Sequence, residues 1–167
     1  LQEGSSFAAL AMVVDPARQR LFVGSADSTV RIWGWQNTTE IGQIDSTGMN
    51  ETLAITPNGQ FLVTGSSDSE ISCVLWEISP GNEFHIKKVR EFRGHAQATT
   101  CFAISADGSR VFTGDRGGIG ILWDTKTGDV VGDRLEQLRG YRLNSAAFSS
   151  DASRLLIAAD DFQVTTI

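Results

Sequence analysis

Residues 94–124 read GHAQATTCFAISADGSRVFTGDRGGIGILWD. A Gly-His pair opens the stretch and Trp123-Asp124 closes it, with 27 residues between His95 and Trp123. Inside lie three short apolar runs, Thr100–Ile104, Arg110–Thr113 and Ile119–Trp123. Ala106-Asp107-Gly108 parts the first two and Arg116-Gly117-Gly118 the second and third. Asp-Gly and Gly-Gly between strand-like runs signal tight hairpins, because such turns need φ > 0. The stretch therefore predicts an antiparallel meander.

Most of the chain repeats it. A first unit covers about 4–44, with strands expected at Leu10–Val14, Arg20–Gly24, Thr29–Trp33 and Thr39–Ile44. A second covers about 46–92, with Thr52–Thr56, Phe61–Gly65, Ile71–Trp76 and a long outer strand, Phe84–Phe92. Asp68 to Trp76 is eight residues where Asp27 to Trp33 is six, so two residues must bulge from the strand or lengthen the turn. The template unit covers 94–135 and ends with an outer strand near Asp129–Leu135. A fourth, about 140–167, offers Asn144–Phe148, Arg154–Ala158 and Gln163–Ile167, and stops before an outer strand. Trp33, Trp76, Trp123 and Ile167 occupy one phase, at intervals of 43, 47 and 44.

This pattern resembles the WD-repeat β-propeller family. The resemblance implies an all-β fold of about four blades, each an antiparallel four-stranded meander, the last incomplete. A blade is covered on both faces by its neighbours, so near-continuous apolar runs such as Leu21-Phe22-Val23 and Phe61-Leu62-Val63 fit it. About seven blades are usual in the family. The implied molecule is a partial propeller, residues 1–167, within a longer protein; failing that, its open edges are completed by another chain, a second copy being one option. Leu1 in place of Met fits a fragment or a processed chain.

The family places a Trp, an Asp six residues earlier, a Ser or Thr of the second strand and the His in one hydrogen-bonded set. Burying an indole removes roughly 200 Å² from water, an upper-bound gain of about 5 kcal/mol, and its N–H then needs an acceptor. On this resemblance the third unit supplies His95, Thr113 and Trp123 but Gly117 at the Asp position. The first supplies Asp27 and Trp33, with Val23 where the hydroxyl should be and Ser5 at the His position. The second supplies Thr64, Asp68 and Trp76, with Ser46 at the His position, and the fourth supplies Asp161. No unit has the full set on this reading, which implies a divergent propeller held mainly by apolar packing.

The net charge of −6 argues against general attraction to nucleic acid or anionic membrane. No apolar run reaches the length of a membrane helix, and no signal-like segment opens the chain. Cys73 and Cys101 lack metal-ligand spacing and read as buried free thiols, a bridge between them being the other option. Asn37-Thr38-Thr39 and Asn50-Glu51-Thr52 fit the glycosylation acceptor pattern, which without a secretory signal carries little weight. No cofactor or metal is implied, and the expected location is intracellular, cytoplasmic or nuclear.

A Ser/Thr, His and Asp set also invites a hydrolase reading, which needs an exposed nucleophile, a base in reach and an oxyanion hole. His95 already has a structural role on the resemblance, and His85 lies in an outer strand, so the expectation is no enzyme. The family mostly supplies rigid platforms for assembling proteins. Its usual partner surface is the ring face made by the loops that enter the inner strands and by the turns between second and third strands. Here that points to Met49, Asn50, Gln97, Arg116, Tyr141, Arg142 and Asp160. The alternative is a phosphoinositide or other phospho-ligand on the basic outer strand, residues 85–93, through Lys87, Lys88, Arg90 and Arg93. Phe92-Arg93-Gly94 lacks the second Arg of the Phe-Arg-Arg-Gly motif by which some propellers bind phosphoinositides.

Overall fold

The computed structural model describes residues 8–46, 48, 52–65, 71, 73–79, 84–160 and the backbone of 164–166. The expectations attached to Met49, Asn50, Asp68, Asp161 and Ile167 lie outside these residues. Among the described residues all regular structure is β. Blade 1 is β1 (Ala9–Asp15), β2 (Arg20–Ser25), β3 (Thr29–Gly34) and β4 (Thr39–Asp45). Blade 2 is β5 (Leu53–Ile55), β6 (Phe61–Gly65), β7 (Cys73–Ile78) and β8 (Ile86–Phe92). Blade 3 is β9 (Thr99–Ile104), β10 (Arg110–Asp115) and β11 (Gly120–Asp124). Blade 4 is β12 (Leu143–Phe148), β13 (Leu155–Ala159) and β14 (Val164–Thr166). Each sheet is an antiparallel meander in chain order.

The first turn of blades 2, 3 and 4 is built the same way, and its chemistry is local. Asp107 accepts from the Ser105 hydroxyl at 2.6 Å and from the Ser109 backbone N–H at 3.0 Å, while Ser105 Oγ accepts from Arg110 N–H at 2.9 Å. Thr56 and Asn58 repeat this in blade 2, Ser149 and Asp151 in blade 4. These short polar side chains close the turn against their own backbone. The third turn residue needs positive φ, met by Gly59, by Gly108 and, at 56°, by Ala152.

One detail differs from the sequence reading, and one alternative that it left open is narrowed. The outer strand expected at Asp129–Leu135 is reduced to two bridges, Trp123 with Val130 and Gly120 with Leu135. Gly132, at φ 71°, turns the chain out of the extended conformation between them. In blade 2 the pairing of β6 with β7 runs unbroken from Phe61↔Glu77 to Gly65↔Cys73, so no bulge takes up the two extra residues within these paired strands.

Each blade presents a front row of side chains to the back row of the next. Phe22, Val30, Ile32 and Ile44 of blade 1 meet Leu53, Leu62, Val74 and Trp76 of blade 2. Val63, Cys73, Leu75 and Phe92 then meet Phe102, Val111, Ile121 and Trp123 of blade 3. Cys101, Ala103 and Phe112 meet Leu143, Leu155 and Ile157 of blade 4. Each fully buried aliphatic or aromatic side chain contributes on the order of 1.5–3 kcal/mol. Trp76 and Trp123 therefore sit in the same kind of place, inside successive blade interfaces. Cys73 and Cys101 are free thiols in different interfaces.

Candidate functional site

The buried polar centre of the molecule lies at the back of blade 3. β10 points Thr113 and Asp115 to one face, because side chains two apart on a strand share a side. β11 brings Trp123 beside them, and His95 arrives from the segment before β9. Trp123 Nε1–H donates to Thr113 Oγ at 2.8 Å. Thr113 Oγ lies 2.7 Å from His95 Nε2, and His95 Nδ1 lies 3.0 Å from Asp115 Oδ2. A neutral imidazole with its proton on Nδ1 satisfies the whole run: Trp to Thr, Thr to His, His to Asp. The other Asp115 oxygen accepts from Gly117 N–H and Ile119 N–H, each at 2.9 Å, and so fixes the β10–β11 turn.

This corrects the reading that no unit has a full set. The carboxylate is Asp115, two residues after Thr113, and not a residue at 117. Gly117 leaves that room open: a Cβ there would come 2.7 Å from Gln97 Nε2. The signal that could have found Asp115 was the period of two along β10, which puts it on the face of Thr113.

Burial pushes the His95 pKa down, against the opposing pull of Asp115. Thr113, Asp115, His95 and Trp123 are all buried, and both ring nitrogens of His95 are engaged. The arrangement can hold blade 3 together; it offers neither an exposed nucleophile nor a spare base.

The corresponding places elsewhere are filled differently. In blade 2 Trp76 Nε1–H donates to Thr64 Oγ at 3.0 Å, and Ser46, at the His position, keeps a buried hydroxyl without a hydrogen-bond partner among the described residues. In blade 1 Asp27 accepts from Thr29 Oγ at 2.6 Å and from Arg31 at 2.8 Å. Burial raises the Asp27 pKa, but hydrogen bonds from Thr29, Arg31 and Ser25 outweigh it and hold the carboxyl well below its usual range. Trp33, with Val23 in place of a hydroxyl, stays half-buried.

Five of the seven residues named for the partner face are described, and they fall on neighbouring turns of blades 3 and 4. The Gln97 side chain reaches over Gly117, next to Arg116. Gly117 O accepts from Gly140 N–H at 2.8 Å, docking the β10–β11 turn on the loop that carries Tyr141 and Arg142. Arg142 O in turn accepts from Asp160 N–H at 3.0 Å. Gln97, Arg116, Tyr141 and Asp160 are exposed; Arg142 is half-buried, its Nε enclosed without a hydrogen-bond partner among the described residues.

On β8 the basic residues are largely engaged by the protein itself. Glu91 accepts from Lys88 at 2.9 Å and from Arg93 at 2.7 Å, and these two bonds hold its carboxyl below the usual range. Arg90 donates to the Lys126 carbonyl at 2.8 Å. Lys87 and Lys88 are exposed. Among the described residues no helix is long and apolar enough to cross a membrane, and no three His, Cys, Asp or Glu side chains group as metal ligands.

Comparison with known proteins agrees with this architecture. The family model described as WD domain, G-beta repeat matches residues 3–34, 51–74 and 86–124. The chain is 30% identical to Protein groucho of Drosophila melanogaster over 137 residues, which is 80% of this chain and 17% of that protein. It is 26% identical to a guanine nucleotide-binding protein subunit beta of Solanum tuberosum over 166 residues, 96% of this chain and 43% of that one. With human Pre-mRNA-processing factor 17 it shares 32% over 113 residues, 65% of this chain and 19% of that one. The chain thus spans well under half the length of these relatives. Among solved structures, the Cps50 (Swd1) β-propeller domain of Myceliophteria thermophila superposes with a TM-score of 0.83 at 15% identity, over 96% of this chain and 53% of that one. The computationally designed Ika4 protein superposes with a TM-score of 0.79 at 21% identity, over 99% of this chain and 93% of that one.

Proposed function

The chain belongs to the WD domain, G-beta repeat family, and on that premise we propose that it is a non-catalytic platform presenting one rim of stacked blades to protein or peptide partners within a larger complex. One observation carries the reading. Gln97, Arg116, Tyr141, Arg142 and Asp160, scattered over more than sixty residues of sequence, are joined through turn-to-turn hydrogen bonds into one stretch of rim. Rigid blades beneath it fix the spacing, so little order has to be imposed when a partner docks. Tyr141 offers an aromatic face about half exposed, and Arg116 an exposed guanidinium; both types contribute strongly at interfaces. Support of a coarser kind comes from a relative that is by name a subunit of a larger protein. An intracellular location, cytoplasmic or nuclear, goes with this proposal.

The test is affinity capture with quantitative mass spectrometry, using the full-length protein that contains this chain and the same protein carrying Arg116→Ala and Tyr141→Ala. Partners that fall away at least tenfold in the variant, with thermal stability unchanged, are the expected result. A partner set identical for both proteins refutes the rim. The phospho-ligand reading on β8 is the weaker one, because Glu91 and the Lys126 carbonyl already engage three of the four cations. Binding of vesicles containing phosphoinositide that is abolished by Lys87→Glu with Arg90→Glu would reverse that order.

A further inference from the structure

Of the asparagines in the sequence, Asn37, Asn50, Asn58, Asn82 and Asn144, only Asn58 is followed by glycine. An asparagine amide is open to attack by the backbone nitrogen of the next residue, and glycine, with no Cβ, leaves that approach unobstructed. The pair Asn58-Gly59 forms part of the turn between β5 and β6, inside the chain and away from its ends.

Hydrogen bonds engage both reacting groups in this turn. Gly59 N–H donates to the Thr56 carbonyl at 2.8 Å. Asn58 Oδ1 accepts from the Thr56 hydroxyl at 2.7 Å and from Gln60 N–H at 2.9 Å. The Asn58 carbonyl accepts from Arg18 Nη1–H of blade 1 at 2.8 Å, and the same guanidinium nitrogen pairs with Asp15 at 3.1 Å. Gly59 is buried beneath that ion pair: a Cβ there would come 2.6 Å from Asp15 Oδ2. The attacking nitrogen and the side chain it would attack are thus both held at the seam between blades 1 and 2.

We propose that Asn58 is a covalent modification site, a deamidation site that the native turn holds closed and that converts when the seam between blades 1 and 2 opens. In the opened turn Gly59 N gives its proton to base in the solvent and bonds to Asn58 Cγ. The side-chain amide leaves as ammonia and a five-membered succinimide remains. Water then opens the ring at either carbonyl, giving aspartate or isoaspartate.

The two products differ in what the turn can accept. Aspartate at 58 repeats Asp107 and Asp151, which hold the same place in blades 3 and 4 and accept the same pair of bonds, from a Ser hydroxyl and from the backbone N–H two residues on. Isoaspartate carries the main chain through its side chain and adds a methylene to the backbone. It shifts the carbonyl that meets Arg18 and the N–H that meets the Thr56 carbonyl, so it loosens the seam.

Peptide mapping by mass spectrometry tests this on the full-length protein that contains this chain, incubated at pH 8 with and without urea. Deamidation at Asn58 should be at least ~10-fold slower in the native protein, because several hydrogen bonds must open before the ring can form. Arg18→Ala and Thr56→Ala should each speed the native reaction roughly 2- to 10-fold, the worth of one such bond, and Thr56→Ser, which keeps the hydroxyl, should leave it unchanged. Asn58→Asp should match the wild-type urea midpoint, whereas chains that an isoaspartyl methyltransferase labels should unfold at lower urea. A native rate equal to the rate in urea overturns the proposal. So does conversion that begins at another asparagine of residues 1–167, a native rate indifferent to both alanine substitutions, or an Asn58→Asp protein that unfolds at clearly lower urea than wild type.

Discussion

Replacing Thr113 by Val tests how blade 3 is held. The substitution keeps the shape of the side chain and removes one oxygen. That oxygen accepts from Trp123 Nε1–H at 2.8 Å and lies 2.7 Å from His95 Nε2. Both partners are buried and sealed from water. Each would lose its polar neighbour at that atom among the described residues, at about 1–3 kcal/mol per orphaned group, so the expected loss is roughly 3 kcal/mol or more. Thr113→Ser is the control: it keeps the oxygen and gives up one methyl, about 1 kcal/mol. Urea titration followed by tryptophan fluorescence should show a midpoint lowered by about 1 M or more for Val, at slopes of about 1–3 kcal/mol per M, and a far smaller shift for Ser. Blade 1 shows the contrasting case: it carries Val23 at this position, and its Trp33 is only half-buried. If Thr113→Val is no more destabilising than Thr113→Ser, the hydrogen-bonded run contributes nothing and the reasoning fails.

Further outcomes follow from the same geometry. Because the His95 pKa lies below its ordinary 6.5 in the folded chain, the unfolded chain binds the extra proton first as pH falls. Stability should therefore be full above pH 6.5 and decline below it, and His95→Asn should flatten that part of the profile in urea midpoints taken from pH 7.5 to 5.5. Burial pushes the Cys101 thiol up to about 12 and that of Cys73 higher still, so a thiol reagent at pH 8 should leave both unlabelled in the native chain and label both in urea. Gly118→Ala forces a side chain at φ +84° into the Leu138 carbonyl, with backbone that cannot move aside cheaply. The expected cost is about 2–5 kcal/mol, from left-handed strain plus overpacking. It should also loosen the Tyr141 loop, seen as faster amide exchange at residues 138–142.

The meanders were legible because their signals are local. Asp107-Gly108 and Asn58-Gly59 turn the chain through side-chain and φ requirements that reach only a few residues, and apolar runs such as Phe61-Leu62-Val63 state that both faces are covered. Fourteen strands came out within about two residues of the reading. The fifteenth, expected at Asp129–Leu135, failed because Gly132 permits a kink that nothing in the apolar pattern forbids. The candidate rim was legible only as separate turns. That Arg116, Tyr141 and Asp160 adjoin depends on Gly140 bonding Gly117 and Asp160 bonding Arg142, contacts across blades that no short stretch encodes.

The amino-acid order alone determined the repeating unit, its period and the faces that must be covered, since strand pairing between consecutive segments is set by turn chemistry and a two-residue alternation. Only the tertiary structure decided how the segment before β9 lays His95 beside Thr113 and Asp115, and which turns of neighbouring blades adjoin. The second depends on the angle at which one blade is laid upon the next. That angle is fixed by the summed packing of Phe22, Phe92, Phe112 and their partners, residues distant in the chain, and it has no local signature.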